Sequence, residues 1–268
     1  MKNYTLGKYY PGNSLIHRAD PRIKFLGIIL MMITILIVRE WQPLLICLAG
    51  VLLLYFLTQI PAKPVLQSIK PIIFIMTFAF LLNLFSGSGE PLVKFWLFQI
   101  TRQGITNAIV MSVRLCLIVI LTTLMLTLTT TPMHLADALE KMLSPLQRFR
   151  FPAHEIAMMT SIALRFVPVL LEEADKIMKA QSSRGAQYDT GGAIKKAKGF
   201  VSILVPLFIS ALRRADELAQ AMEARCYRGG EGRTKLHSLK LVLSDYMLAV
   251  GILAFCSAVL ISHYFIFA

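Results

Sequence analysis

Five stretches of this chain are too long and too apolar to face water: Ile23–Val38, Pro43–Ile60, Pro71–Phe85, Ile105–Thr130 and Leu241–Ala268. A helix needs roughly 20 residues to cross the hydrocarbon layer, and inside that layer every backbone polar group must be satisfied within the segment or its neighbours. Stretches of this kind therefore fold as membrane-spanning helices, although the first and third are short for the task. The whole chain agrees with them, since 56% hydrophobic and 16% charged residues is not a soluble composition. The expected fold is all-α: a polytopic helical membrane protein with about five transmembrane helices in segments 1–131 and 240–268. Segment 132–239 forms a separate helical domain.

The basic residues set the orientation. With the N-terminus inside, 24 Lys and Arg fall on the inner side and only Arg39, Lys94 and Arg102 fall outside, while Arg114 lies within the fourth span. This asymmetry makes the 132–239 domain cytoplasmic and puts the C-terminus outside. It also accounts for the net charge of +13 as topology, so no nucleic-acid partner is expected. Pro91–Ile100, with Lys94 and Trp96, reads as an interfacial segment. Residues 1–20 hold no apolar core before a cleavage site, so no signal peptide is expected. Cys47, Cys116, Cys226 and Cys256 share no metal-type spacing and imply no disulfide framework.

Within the cytoplasmic domain the punctuation is helical. Thr131-Pro132 is a cap and first-turn pair, opening a helix that Ser144-Pro145 stops. Pro152 and Glu155 open a second, whose apolar pattern continues past Pro168, with a kink expected there, to Ser183, where Gly185 is a C-terminal cap. Gly191-Gly192 and Lys195-Lys196-Lys198 read as a flexible connection. A third helix is expected from about Gly199 to Arg225, apolar all round from Phe200 to Leu212 and ended by Gly229-Gly230 and Gly232.

The second and third helices carry a 41-residue internal repeat. Ala174-Asp175 precedes Arg184 as Ala215-Asp216 precedes Arg225, and each copy places its arginine at a helix end. A chance match in alanine- and charge-rich helices would look the same. The copies also oppose Glu172 and Glu173 to Arg213 and Arg214, which implies that the two helices cross and pair there; a solvated charged face is the alternative.

Several chemistries are missing. No GxxxxGK[ST] phosphate loop occurs, so the chain is not expected to bind ATP, and no HExxH, GxSxG elbow or intramembrane carboxylate pair is present. No cofactor, metal or catalytic residue is expected. Arg114 is a charge inside a span, and two readings stand: a polar site with Asn83, or a side chain snorkelling to the outer surface.

Three motifs carry a resemblance to a known family. They are Tyr10-Pro11-Gly12-Asn13-Ser14-Leu15-Ile16-His17-Arg18-Ala19-Asp20-Pro21-Arg22-Ile23-Lys24, then Ser161-Ile162-Ala163-Leu164-Arg165-Phe166-Val167-Pro168 running into Glu172-Glu173-Ala174-Asp175, and Ala221-Met222-Glu223-Ala224-Arg225-Cys226-Tyr227-Arg228-Gly229. Together they resemble, over nearly the whole chain, the transmembrane T component (EcfT) of energy-coupling factor transporters, related to the permease subunit of cobalt transporters. Ser183-Arg184-Gly185 and Ala224-Arg225-Cys226 look like that family's paired Ala-Arg-Gly signatures, from which both depart. The resemblance implies a non-catalytic scaffold in the bacterial cell membrane. It would join two ATPase subunits, expected to be non-identical, to a substrate-binding S component that imports vitamins or metal ions. In that case 132–239 is the coupling domain and Arg184 and Arg225 dock on the ATPases. The competing reading is a permease with its own substrate path.

Overall fold

A computed structural model describes residues 9–38, 40–85, 91–95, 98–145, 152–185, 192–229 and 241–267. Arg39, Trp96, Gly191, Gly230, Gly232 and Ala268, named above, lie outside the described residues. The described residues divide into two compact units, one made of those within 9–135 and 241–267, the other of those within 136–229.

The first unit opens with a short helix α1 (Leu15–Arg18), capped by the Ser14 hydroxyl. Asp20 then caps α2 (Pro21–Ile37) by accepting from the Arg22 amide at 2.9 Å, with Pro21 at the first helical position where its missing N–H costs nothing. Helix α3 (Trp41–Thr58) follows, then α4 (Ala62–Ile69), a 3₁₀ turn and α5 (Ile73–Phe85), which together form one helical run. Helix α6 (Arg102–Thr122) ends in a π-helical turn, Thr123–Thr127, and α10 (Leu243–Phe267) closes the unit. The core is an apolar seam of Ile28, Met31, Ile35, Cys47, Val51, Leu117, Leu121, Ile252 and Val259. Helix α5 packs along α6 so closely that a Cβ on Gly104 would lie 2.6 Å from the Leu84 carbonyl oxygen. Small residues that let helix backbones approach are the usual glue in a bilayer, where no hydrophobic drive separates helix from lipid.

Within Pro91–Ile100, expected as an interfacial segment, the described residues form two strands. Strands β1 (Pro91–Phe95) and β2 (Phe98–Thr101) pair antiparallel, Phe95 opposite Phe98 and Lys94 opposite Gln99, with a register shift between Pro91 and Val93. The run is rich in β-branched and aromatic residues, which favour a strand once a partner is at hand. A small hairpin is thus added to an otherwise helical fold.

By length and composition five described helical runs can cross a membrane: Trp41–Thr58, Ala62–Phe85, Arg102–Thr127, His154–Ser183 and Leu243–Phe265. Four match expected spans. The expected first span folds as α2, which at 17 residues is about 25 Å long, somewhat short of the roughly 30 Å hydrocarbon layer. His154–Ser183 belongs instead to the second unit, and most of its charges, Glu172, Glu173, Asp175, Lys176 and Lys179, follow Leu171.

The second unit is helical. Helix α7 (Pro132–Leu143) runs from the first unit into the second, and the hydroxyl of the preceding Thr131 accepts from the His134 amide at 3.3 Å. Helix α8 (Ala153–Ser183) runs unbroken through Pro168, and its His154 ring meets Glu140 of α7 at 3.3 Å. Helix α9 (Ala193–Ala224) starts six residues before the expected Gly199 and absorbs the lysine run read as a flexible connection. Ala and Lys are strong helix formers, and Gly192 takes the cap position, so the helix nucleates there without a side-chain cap.

Candidate functional site: two matched helix ends

Arg184 and Arg225 occupy the same structural position. Each is the residue that caps its helix, with φ −87°, ψ 5° at Arg184 and φ −91°, ψ 14° at Arg225. Their amides bond back to Gln181 at 3.1 Å and Met222 at 3.2 Å. The next residue in each case turns into the left-handed region, Gly185 at φ +84° and Cys226 at φ +55°. This turn is a common way to end a helix, because it lets the last N–H groups reach carbonyls left free by the final turn. The Gly185 amide meets the Ser182 carbonyl at 3.0 Å, and the amides of Cys226 and Tyr227 meet Glu223 and Met222 at 2.8 and 3.0 Å. Both guanidiniums are exposed, as are Ser183, Gly185, Ala224 and Cys226. A cation at a helix C-terminus also complements the macrodipole.

What fixes the two ends relative to each other is the crossing of α8 and α9. Arg214 donates to Glu173 at 2.6 Å, and the Ser210 hydroxyl donates to the other carboxylate oxygen at 2.6 Å. Glu172 and Arg213, the second expected pair, are exposed and form no ion pair among the described residues. Glu173 and Arg214 are themselves related by the 41-residue repeat, each eleven residues ahead of its arginine. Beside them an apolar groove of about 250 Å³ is lined by Ile162, Phe166 and Leu170 of α8 and by Ala215, Leu218 and Met222 of α9. Residues before Glu173 thus face residues after Arg214. The helices run in opposed senses through the crossing, and the two arginines lie on opposite sides of it. On α9, Phe200, Val201, Leu204, Val205, Phe208 and Ile209 are exposed, an apolar face of the kind expected from the sequence to lie against protein or lipid.

Arg114 and Asn83 are not brought together. Arg114 donates to the Val38 carbonyl at the end of α2, and Asn83 donates to the Ala79 carbonyl of its own helix at 2.8 Å. Asn83 lies level with Gly104, ten residues and about 15 Å along α6 from Arg114. The arginine reaches a neighbouring helix terminus, whose last carbonyls lack intrahelical donors.

A second polar cluster was not singled out from the sequence. Lys24, 1% exposed, donates to the carbonyls of His17 and Thr129 at 3.3 and 3.2 Å and to the Thr130 hydroxyl at 3.4 Å. Asp245, 2% exposed, accepts from the Asp20 amide at 2.8 Å. The His17 ring lies between the Tyr10 carbonyl at 3.0 Å and the Ser14 hydroxyl at 2.7 Å. Burial pushes its pKa below the usual value, the Tyr10 carbonyl partly counters this, and the Lys24 charge adds to the lowering. The available signal was Lys24 and Asp245 themselves, charges within the first residues of apolar helices.

Over residues 12–236 the chain matches the CbiQ family, described as cobalt transport protein. It is 47% identical over 267 residues, covering 100% of both chains, to the "Energy-coupling factor transporter transmembrane protein EcfT" of Ruminiclostridium cellulolyticum. It is 46% identical over 254 residues to the protein of that name from Acidaminococcus fermentans, covering 95% of this chain and 94% of the relative. Against that of Streptococcus equi subsp. equi it is 44% identical over 262 residues, with 96% and 97% covered. The matched arginine ends thus sit in a chain that belongs to the CbiQ family and, within it, to the energy-coupling factor transporter transmembrane proteins.

Proposed function

We propose that the chain is the membrane scaffold of an energy-coupling factor importer. It joins two cytoplasmic ATPase subunits to a separate S component that binds the vitamin or metal ion to be taken up. The observation that carries this reading is the equivalence of Arg184 and Arg225: two exposed guanidiniums on matched caps, held on opposite sides of one crossing. A guanidinium offers five donors in a rigid fork suited to carboxylates and carbonyls, and a helix end delivers it with little freedom to lose. Two such ends fit two partner subunits. Their flanks differ, Gly185-Ala186 against Cys226-Tyr227-Arg228, which favours two non-identical ATPases, each preferring one end. ATP hydrolysis belongs to those partners, and no step of it to this chain. The N-terminus and the coupling domain are cytoplasmic and the C-terminus is outside, on the strength of the basic asymmetry. A permease with its own path finds less support, since Arg114 and Asn83 each engage a backbone carbonyl.

The test is purification of the tagged chain from its native membrane and identification of what comes with it. Two ATPases and a small membrane protein are expected. Arg184→Glu and Arg225→Glu should each lower ATPase recovery at least tenfold, because removing one member of a buried charged contact costs about 2–5 kcal/mol. Solute uptake by liposomes holding this chain alone would support the permease and overturn the scaffold.

A further inference from the structure

The chain leaves its membrane unit after Leu135, within α7, and its described residues resume in that unit at Leu241. Residues 128–130 before the departure and residues 242–245 after the return are held, inside that unit, by the N-terminal segment. Just before the departure α6 ends in its π-helical turn, and the carbonyls beyond it are met from that segment: the Tyr10 amide donates to Leu128 at 3.0 Å and Lys24 to Thr129 at 3.2 Å. Just after the return, Asp245 takes the Val242 amide at 2.9 Å with one carboxylate oxygen and the Asp20 amide at 2.8 Å with the other. Lys24 and Asp20 lie within one turn of each other on the same helix start, both buried, as is Asp245. A buried ammonium is costly beside an apolar side chain of similar volume. Lys24 offsets that cost by satisfying the carbonyls of His17 and Thr129 and the Thr130 hydroxyl.

Resting on the scaffold reading above, we propose that Lys24 and Asp245 are positioning residues for energy coupling. They fasten the departing Thr129–Thr130 and the returning Val242–Asp245 to one rigid point on α2. Movement imposed on the coupling unit is then delivered to the spans and is not absorbed in slack connections.

The experiment uses the whole complex, scaffold with ATPases and S component, reconstituted in liposomes, with ATP hydrolysis and uptake measured together. The uptake probe is chosen from radiolabelled B vitamins and cobalt ion as the one that the wild-type complex accumulates. Lys24→Met and Asp245→Asn should assemble and hydrolyse ATP within about twofold of wild type, while uptake per ATP falls about tenfold or more. A coupled wild type with unchanged uptake per ATP in both variants overturns this inference alone. So does a loss of hydrolysis and uptake in equal proportion, which a merely structural role would give. A chain that forms no complex with ATPases and an S component overturns the scaffold reading as well. If neither variant assembles, hydrogen exchange of the wild-type complex decides: the Asp20 and Val242 amides should stay protected during ATP turnover, and exchange that rises with turnover overturns the proposal.

Discussion

The contact between Glu173 and Arg214 holds α8 and α9 at their crossing, and its contribution can be bounded before it is measured. The Arg214 side chain is 39% exposed and that of Glu173 24%, so the ion pair itself belongs near the solvent-screened range of about 0.2–1 kcal/mol. Glu173 also receives the Ser210 hydroxyl at 2.6 Å, and a hydrogen bond to a charged group contributes about 1.5 kcal/mol or more. The two single changes should therefore be unequal. Glu173→Ala, which loses both partners, should cost about 2 kcal/mol, whereas Arg214→Met leaves the Ser210 bond intact and should cost about 0.5–1 kcal/mol. A double-mutant cycle should return a coupling of about 0.5–1 kcal/mol. The assay is hydrogen exchange of the amides flanking positions 173 and 214 in the purified protein, read as local opening free energies. Costs that add within about 0.3 kcal/mol, or a larger cost at Arg214 than at Glu173, would refute the reasoning and place these groups on separate solvated faces.

The left-handed residues after the two arginines give a paired prediction. Cys226→Gly should stabilise the α9 end by about 0.5–1 kcal/mol, and Gly185→Ala should loosen the α8 end by a similar amount, both read as amide exchange in the last turn. Gly104→Ala drives a Cβ to 2.6 Å from the Leu84 carbonyl oxygen, a backbone atom that cannot step aside as a side chain can. It should cost about 1–3 kcal/mol, seen as a lower melting temperature in detergent. His17 binds a proton less readily in the fold than in the unfolded chain, so its contribution is full above the unfolded value of about 6.5 and is lost as pH falls through the lower folded value. Exchange of the Arg18 and Leu128 region should rise on acidification below about pH 6, and His17→Gln should flatten that dependence.

Much of the second unit was legible because helix ends are written in local chemistry. Thr131-Pro132 marks the start of α7, and Pro152 and Gly185 mark the limits of α8, each through a capping or φ preference that needs no tertiary partner. The same logic misled at α9, where two glycines and three lysines read as a linker although Ala and Lys carry the helix back to residue 193. The repeat located both arginines. It did not reveal that Cys226 performs the turn that Gly185 performs, since only glycine advertises a positive φ in a sequence. Least legible were contacts between distant segments. Lys94 pairs with Gln99 in a hairpin, and Asp245 binds the Asp20 amide from 225 positions away; no periodicity records either, although a carboxylate at the start of an apolar span signals that a partner is needed.

Glu173 and Arg214 stand at equivalent places in the repeat, eleven residues from Arg184 and Arg225 respectively, so the crossing leaves two arms of equal length, about 16 Å each. A rotation of about 10° around it swings each helix end by about 3 Å. On the proposed docking, equal arms would give a mechanical advantage of one, so that partners gripping the two guanidiniums would feel strokes of the same size. Lengthening one arm by a helical turn, with four residues inserted between Ile177 and Ser183, would stretch that stroke by about a third and leave its counterpart unchanged. The insertion would desynchronise the pair without touching either arginine.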